Sequence, residues 1–162
     1  METERTILRT PAANDEKDVL NLQSNEVSRQ YLGGVVVAEH FPEKFAAILQ
    51  AKPPESYWVV HQKETSAFIG FVCIALYHDK THYEVSYELL PEFWGAGYGT
   101  EIVKQVIEYG FNVLGLQELY SETQKKNTAS IRLLEKVGMQ RTSELKRFGE
   151  EQVVYAIQKP LD

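Results

Sequence analysis

Three glycines at alternate positions, Gly95, Gly97 and Gly99, stand in the segment LLPEFWGAGYGT (89–100), where an apolar run of strand character gives way to a helical pattern. A residue without Cβ takes positive φ freely and lets a ligand close on the main chain. The first N–H groups of a following helix have no intrahelical partner and carry the positive end of its dipole. A loop of this kind holds phosphate oxygens, so the chemistry expected first is the cradling of a pyrophosphate.

The flanking residues narrow the choice of nucleotide. A P-loop needs Gly-Lys followed by Ser or Thr, whereas Gly99 is followed by Thr100 and Glu101 with no lysine. A dinucleotide loop follows the first strand of its domain and has an acidic residue about 20 positions on. Glu118 satisfies the spacing, but the loop lies past the middle of the chain, and one strand and one helix after it are too little for a doubly wound sheet. A second segment, NTASIRLLEKVGM (127–139), opens on a good helix N-cap, because the Asn127 side chain can accept the N–H of Ser130.

Together the two segments resemble the GNAT superfamily of N-acetyltransferases. Its phosphate-binding pattern is Gln or Arg, two residues, Gly, one residue, then Gly or Ala, and WGAGYG (94–99) fits except that Trp94 replaces the first position. PEFWGAGY (91–98) is similar to the variant found in the branch that includes ribosomal-protein N-terminal (alanine) acetyltransferases. The 127–139 segment is similar to that branch's Asn-x-x-Ser-Ile-Arg-x-Leu-Glu-Lys-x-Gly-Phe, with Met139 in place of Phe. The resemblance is sharp over about 83–140 and loose over the first 55 residues.

The resemblance implies an α+β (mixed α/β) acyltransferase fold, with a central, mostly antiparallel twisted sheet of about seven strands flanked by about four helices. It implies acetyl-CoA as cofactor, its pyrophosphate on the amides of Gly95, Ala96, Gly97, Tyr98, Gly99 and Thr100. Backbone groups of Leu89 and Leu90 would pair with the pantetheine, which Asn127 and Ser130 would also contact. On the same strand Glu88 is the candidate for accepting the amine's proton. Many relatives carry a tyrosine as thiol acid where this chain has Leu134, and Ser130 is the nearest substitute. In such enzymes the first third wraps over the acceptor, so Tyr31, His40 and Phe41 are substrate-side candidates. The function implied is acetyl transfer to a primary amine, either the α-amine of a (ribosomal) protein N-terminus or a small-molecule amine. The alternative is a non-catalytic acyl-CoA-binding sensor, suggested by the missing tyrosine; a longer acyl group is a third reading.

The rest of the chain must position these groups. Residues 6–9 read as a short strand. Pro11 followed by Asn14 predicts a helix with Asn14 as N-cap, Asp15 and Glu16 in its first turn, and Val19, Leu20 and Leu22 as its core stripe to about Gln23. Residues 26–32 predict a short helix stopped at Gly33-Gly34, and 33–38 an apolar loop. Residues 41–51 predict a helix with Phe45, Ile48 and Leu49 on one side, ended by Pro53-Pro54. From Tyr57 the period becomes that of a sheet: 57–61, 68–77 and 83–90 form an antiparallel meander with turns at 63–66 and 78–81. In its third strand Val85, Tyr87 and Leu89 share one face, and Glu84, Ser86, Glu88 and Leu90 the other. A helix follows over 98–114, with Ile102, Val103, Val106, Ile107, Val113 and Leu114 at helical spacing and Gly115 as its left-handed stop. Then come a strand over 118–123, a helix after Asn127 with Ile131, Leu134 and Val137 inward, and a closing hairpin of 139–146 and 152–157.

Composition sets the outer bounds. The chain has 162 residues, 43% hydrophobic and 25% charged, which fits a single domain over 1–162 with one core. No apolar run approaches a membrane helix, and METERTILRT lacks the layout of a signal peptide, so a cytoplasmic protein with no membrane partner is expected. The single cysteine, Cys73, reads as a buried strand residue and permits no intrachain disulfide. His40, His61, His78 and His82 form no recognised metal spacing, so no metal is assigned. A net charge of −6 argues against a nucleic-acid partner and suits a cationic amine acceptor; a homodimer is left open.

Overall fold

The computed structural model describes residues 1–161. Among them are seven strands, β1 (Thr6–Arg9), β2 (Ser56–Gln62), β3 (Phe68–Leu76), β4 (Tyr83–Leu89), β5 (Glu118–Gln124), β6 (Gln140–Arg147) and β7 (Glu150–Gln158). Four α-helices accompany them: α1 (Glu16–Gln23), α2 (Phe41–Leu49), α3 (Tyr98–Asn112) and α4 (Thr128–Lys136). The strands form one sheet in the order β1-β2-β3-β4-β5-β7-β6. Every neighbouring pair is antiparallel except β4 and β5, which α3 joins as a parallel crossover. The mixed α/β architecture is the one expected.

Alternation along the strands gives each face of the sheet its own core. Val72, Ile74, Val85 and Leu119 pack on one side against Ile102, Val103 and Val106 of α3 and Leu134 of α4. Val59 and Phe71 pack on the other against Val19 and Leu22 of α1 and Phe41 and Phe45 of α2. Gly110 lets α3 lie close to the sheet, since a Cβ there would stand 2.8 Å from Leu119 Cδ1 and 3.2 Å from Ile74 Cδ1. That close approach outweighs the helix-propensity cost of about 1 kcal/mol.

Several local expectations are corrected. Asn14 is not an N-cap: Ala13–Asp15 is a 3-10 turn, and Asp15 precedes α1. The Asp15 carboxylate accepts the Ala12 N–H at 2.7 Å and both Arg9 η nitrogens at 2.6 and 2.5 Å, so tertiary pairing decides this start. Residues 26–32 form successive turns rather than a helix, with Arg29 N–H bonded to Asn25 O and Leu32 N–H to Arg29 O. Val113, expected in the core stripe, is exposed beyond the end of α3, while Gly115 does take positive φ, 71°.

The feature that makes a site is the divergence of β4 from β5. Their one paired position is Glu84 with Tyr120. Past it, side chains satisfy the main chain: Ser121 Oγ donates to Val85 O at 3.0 Å, and Glu84 Oε1 accepts the Glu122 N–H at 3.1 Å. Burial raises Glu84 to about 7, the Glu122 N–H and Arg147 opposing and Glu122 adding to the rise.

A folded pKa above the unfolded one means stability that is present below the unfolded value and is lost as pH rises through about 7. Gln at this position keeps an acceptor for the Glu122 N–H without the buried charge. Urea unfolding should therefore find Glu84→Gln more stable than the parent at about pH 8.5, by on the order of 2 kcal/mol, with the gap closing near pH 4. An equal gap at both pH values would refute the buried-charge account.

Candidate active site

A cavity of about 1010 Å³ passes through the β4–β5 opening, from Tyr31 and Lys44 on the α1–α2 side to the glycine loop and α4 on the other. Alternation of main-chain groups along β4 determines what faces it. The Leu90 N–H bonds Ile69 O at 2.9 Å, toward β3, and Val85 O is met from the β5 side by Ser121. The amides of Tyr87 and Leu89 therefore point into the opening. The Leu89 amide is placed to meet a ligand, but the donor of Leu90 is already engaged, which corrects that assignment.

The glycine loop ends in α3, whose N-cap is Gly97 with φ of 86°; Gly95 has φ of 73°. Trp94, standing where the resemblance expects Gln or Arg, donates its indole N–H to Leu89 O at 2.8 Å and so ties the loop to the end of β4. From below, Arg5 donates to Ala96 O at 3.0 Å and pairs with Glu101 at 2.8 Å, where a carboxylate also suits the helix dipole. Gly95, Gly97, Gly99 and Thr100 line the cavity. Tyr98 turns inward instead: its ring lies under the Arg5 guanidinium and its hydroxyl accepts from Gln62 at 2.8 Å, so only its main chain is available. The first-turn amides of α3 and the two β4 amides are a donor set that fits a diphosphate and an amide-bearing arm, as coenzyme A has.

Asn127 caps α4 as expected, its Oδ1 accepting the Ser130 N–H at 3.2 Å. The Ser130 hydroxyl shares a 2.7 Å hydrogen bond with that of Tyr87, which also lines the cavity. Burial raises the Tyr87 phenol to about 12, with Ser130 opposing. Leu134 is fully buried in the core. The sequence reading missed Tyr87, although its place on the strand face that α4 covers was a usable signal.

On the opposite face Glu88 Oε1 accepts from Arg29 Nη1 at 2.6 Å and from Gln23 Nε2 at 3.2 Å. Its other oxygen, Oε2, is buried with no donor among the described residues. Burial raises the Glu88 carboxyl, while Arg29, Lys44 and Gln23 pull it down. Arg29 also donates to Gly34 O at 2.5 Å and Leu32 O at 2.9 Å, so one guanidinium fastens the 25–37 loop over β4. Tyr31, on that loop, lines the cavity as expected. His40 is exposed in a 3-10 turn outside it, and Phe41 is fully buried, stacked 5.6 Å from Phe45; neither is placed to meet a substrate. Cys73 is partly exposed toward the cavity rather than buried in the strand, with its thiol pushed up to about 12 by burial and then by Glu84 and Glu88. Arg29, on the loop, and Gln23 and Lys44, on α1 and α2, were missed because contacts between elements far apart in the chain leave no local pattern.

Residues 5–140 match the model of the acetyltransferase (GNAT) domain. The uncharacterized N-acetyltransferase YoaA of Bacillus subtilis (strain 168) is 31% identical, over 99% of this chain and 97% of its own. A GNAT-family acetyltransferase from Bacillus anthracis superposes with a TM-score of 0.85 at 24% identity, covering 98% of this chain and 97% of that one. A spermidine N-acetyltransferase from Vibrio cholerae, in complex with CoA and spermine, superposes at 0.83 with 19% identity, covering 94% and 95%. At these identities the structural likeness is one of fold.

Replacing Arg29 removes the cation closest to Glu88 without removing its burial, so its carboxyl must become a weaker acid. We expect Arg29→Met to raise the Glu88 pKa further, read by NMR titration of its side-chain carboxyl carbon. An unmoved titration would show that the pair does not set the charge state of Glu88.

Proposed function

The chain belongs to the acetyltransferase (GNAT) family and is an N-acetyltransferase that uses acetyl-CoA; from that premise we propose that it acetylates a primary amine held at Glu88, either a protein N-terminus or a small molecule. The observation that carries this reading is Glu88, a buried carboxylate that lines the cavity and has one oxygen, Oε2, without a donor among the described residues. Such an orphan costs roughly 1–3 kcal/mol, which an N–H from an incoming amine would offset.

When bound, acetyl-CoA supplies an activated acyl group as a thioester. Gly95, Gly97, Gly99 and Thr100, with the amides of Ala96 and Tyr98, would hold the diphosphate, while the amides of Tyr87 and Leu89 and the side chain of Asn127 would align the pantetheine arm. Glu88 takes the proton that the nitrogen loses as the C–N bond forms and the C–S bond breaks. Its raised pKa favours that role, since a base works best with a pKa near the working pH. A peptide α-amine, with a pKa near 8, is partly neutral at physiological pH, whereas an amine near 10 is almost wholly protonated and must first shed a proton to solvent before its lone pair can attack.

Ser130 and Tyr87 together would donate to the departing sulfur. A phenol near 12 cannot hand its proton outright to a thiolate whose conjugate acid is near 8.5, so the pair acts by hydrogen bonding, and the proton arrives from solvent. This pair weakens the case for a non-catalytic sensor, which rested on the tyrosine absent at Leu134.

Calorimetry should find that Gly97→Asp binds acetyl-CoA at least about tenfold more weakly, from strain at positive φ and a like charge beside the diphosphate. Unchanged affinity would remove the cradle. Separately, Glu88→Gln should lower kcat/KM for the amine by roughly 10²-fold or more while acetyl-CoA affinity holds. Parent-like rates across the pH range would remove Glu88 as the base.

A further inference from the structure

The charges around Glu88 narrow the acceptor. Besides Glu88, two carboxylates line the acceptor half of the cavity. Glu122 is met by the Tyr77 hydroxyl at 2.6 Å, Arg147 at 3.3 Å and His78 at 3.4 Å, and Glu55 accepts the Leu76 N–H at 3.3 Å. Of the three, Glu88 alone has a buried oxygen without a donor among the described residues.

Lys44 stands at the mouth of the same cavity and donates to Gln23 Oε1 at 3.1 Å. Gln23 in turn donates to Glu88 Oε1 at 3.2 Å. The Lys44 ammonium has no carboxylate partner among the described residues; it is held below the usual lysine range first by burial and then by Arg29, with Glu88 pulling the other way. Arg29 and Lys44 thus both act on Glu88. An anion carried by the acceptor would give Lys44 the partner it lacks.

On the reading of Glu88 as the amine's partner, we propose that the acceptor is a small primary amine bearing a carboxylate, its nitrogen at Glu88 and its anion at Lys44. The amide of Gln23 is all that separates the two contacts, so a short aliphatic spacer between nitrogen and anion fits.

The test measures amine-dependent thiol release from acetyl-CoA with glycine, β-alanine and γ-aminobutyrate, each against its carboxamide. Phosphoethanolamine, spermidine and an uncharged dipeptide amide complete the panel. A carboxylate acceptor should show a KM at least about tenfold below that of its amide. That ratio should fall toward one in Lys44→Gln and return in Lys44→Arg. Preference for phosphoethanolamine would keep the anion site and make its ligand a phosphate. Preference for spermidine, an amide or the dipeptide, a ratio intact in Lys44→Gln, or no turnover with any amine would overturn the proposal. Acetyl-CoA binding, followed in parallel by calorimetry, separates the two readings: its loss sinks the cofactor site, while binding with the wrong acceptor preference sinks the anion site alone.

Discussion

The structure depends on an incomplete pairing between two central strands. Past Glu84 and Tyr120 the main chain of β4 has no partner on its β5 side, and unpaired backbone groups in an interior are costly. The chain meets part of that need with its own side chains, using Ser121 on Val85 O and the Trp94 indole on Leu89 O, while Glu84 takes the Glu122 N–H of β5. What remains, the amides of Tyr87 and Leu89, is left for a ligand. The opening is held at this size by α3, since Gly110 sets the helix down on Leu119 and Ile74, and Gly99 leaves its first turn so close to Leu133 that a Cβ would stand 2.7 Å from it. A bulkier residue at either place would lift the helix and move the phosphate-facing end with it.

Burial does the electrostatic work on the acceptor side. Glu84 and Glu88 share a strand face, and in both desolvation is the largest influence, raising the carboxyl. They differ in company. Glu84 faces another carboxylate and helps to close the strand divergence, whereas Glu88 is paired with Arg29 and opens onto the cavity. The ion pair keeps Glu88 ionisable inside the fold, and its one-sided geometry leaves a single oxygen free.

How much of this could be read from the chain depended on whether the determinant was local. The glycine loop, the Asn127 cap, the Gly115 stop and the alternation along β4 are set by residues within a few positions of one another, and they stand where sequence reasoning put them. The start of α1 was misplaced because a strand arginine, Arg9, claims Asp15. The place of the Tyr98 side chain was not legible for the same kind of reason, since Arg5 and Gln62 hold it on the far side of the loop. Phe41 and His40 were opposite errors: helix register buries one in the α2 core and leaves the other exposed in the preceding turn. The Arg29 latch spans 59 positions, and nothing within a local window announces it.

In the proposed roles the base and the sulfur's hydrogen-bond donor are consecutive residues, Glu88 and Tyr87. Successive strand residues point to opposite faces, so in an intact sheet these two groups could never touch one reacting centre. Here the α1–α2 loop covers the face of Glu88, and α4 covers the face of Tyr87 and supplies Ser130. Only where β4 parts from β5 does a path join the two faces, and the cavity follows that path. A nitrogen arriving from one side and a sulfur leaving on the other can then bracket a single carbonyl carbon. The divergence that leaves backbone amides for the cofactor is thus also what lets one strand serve both ends of the transfer.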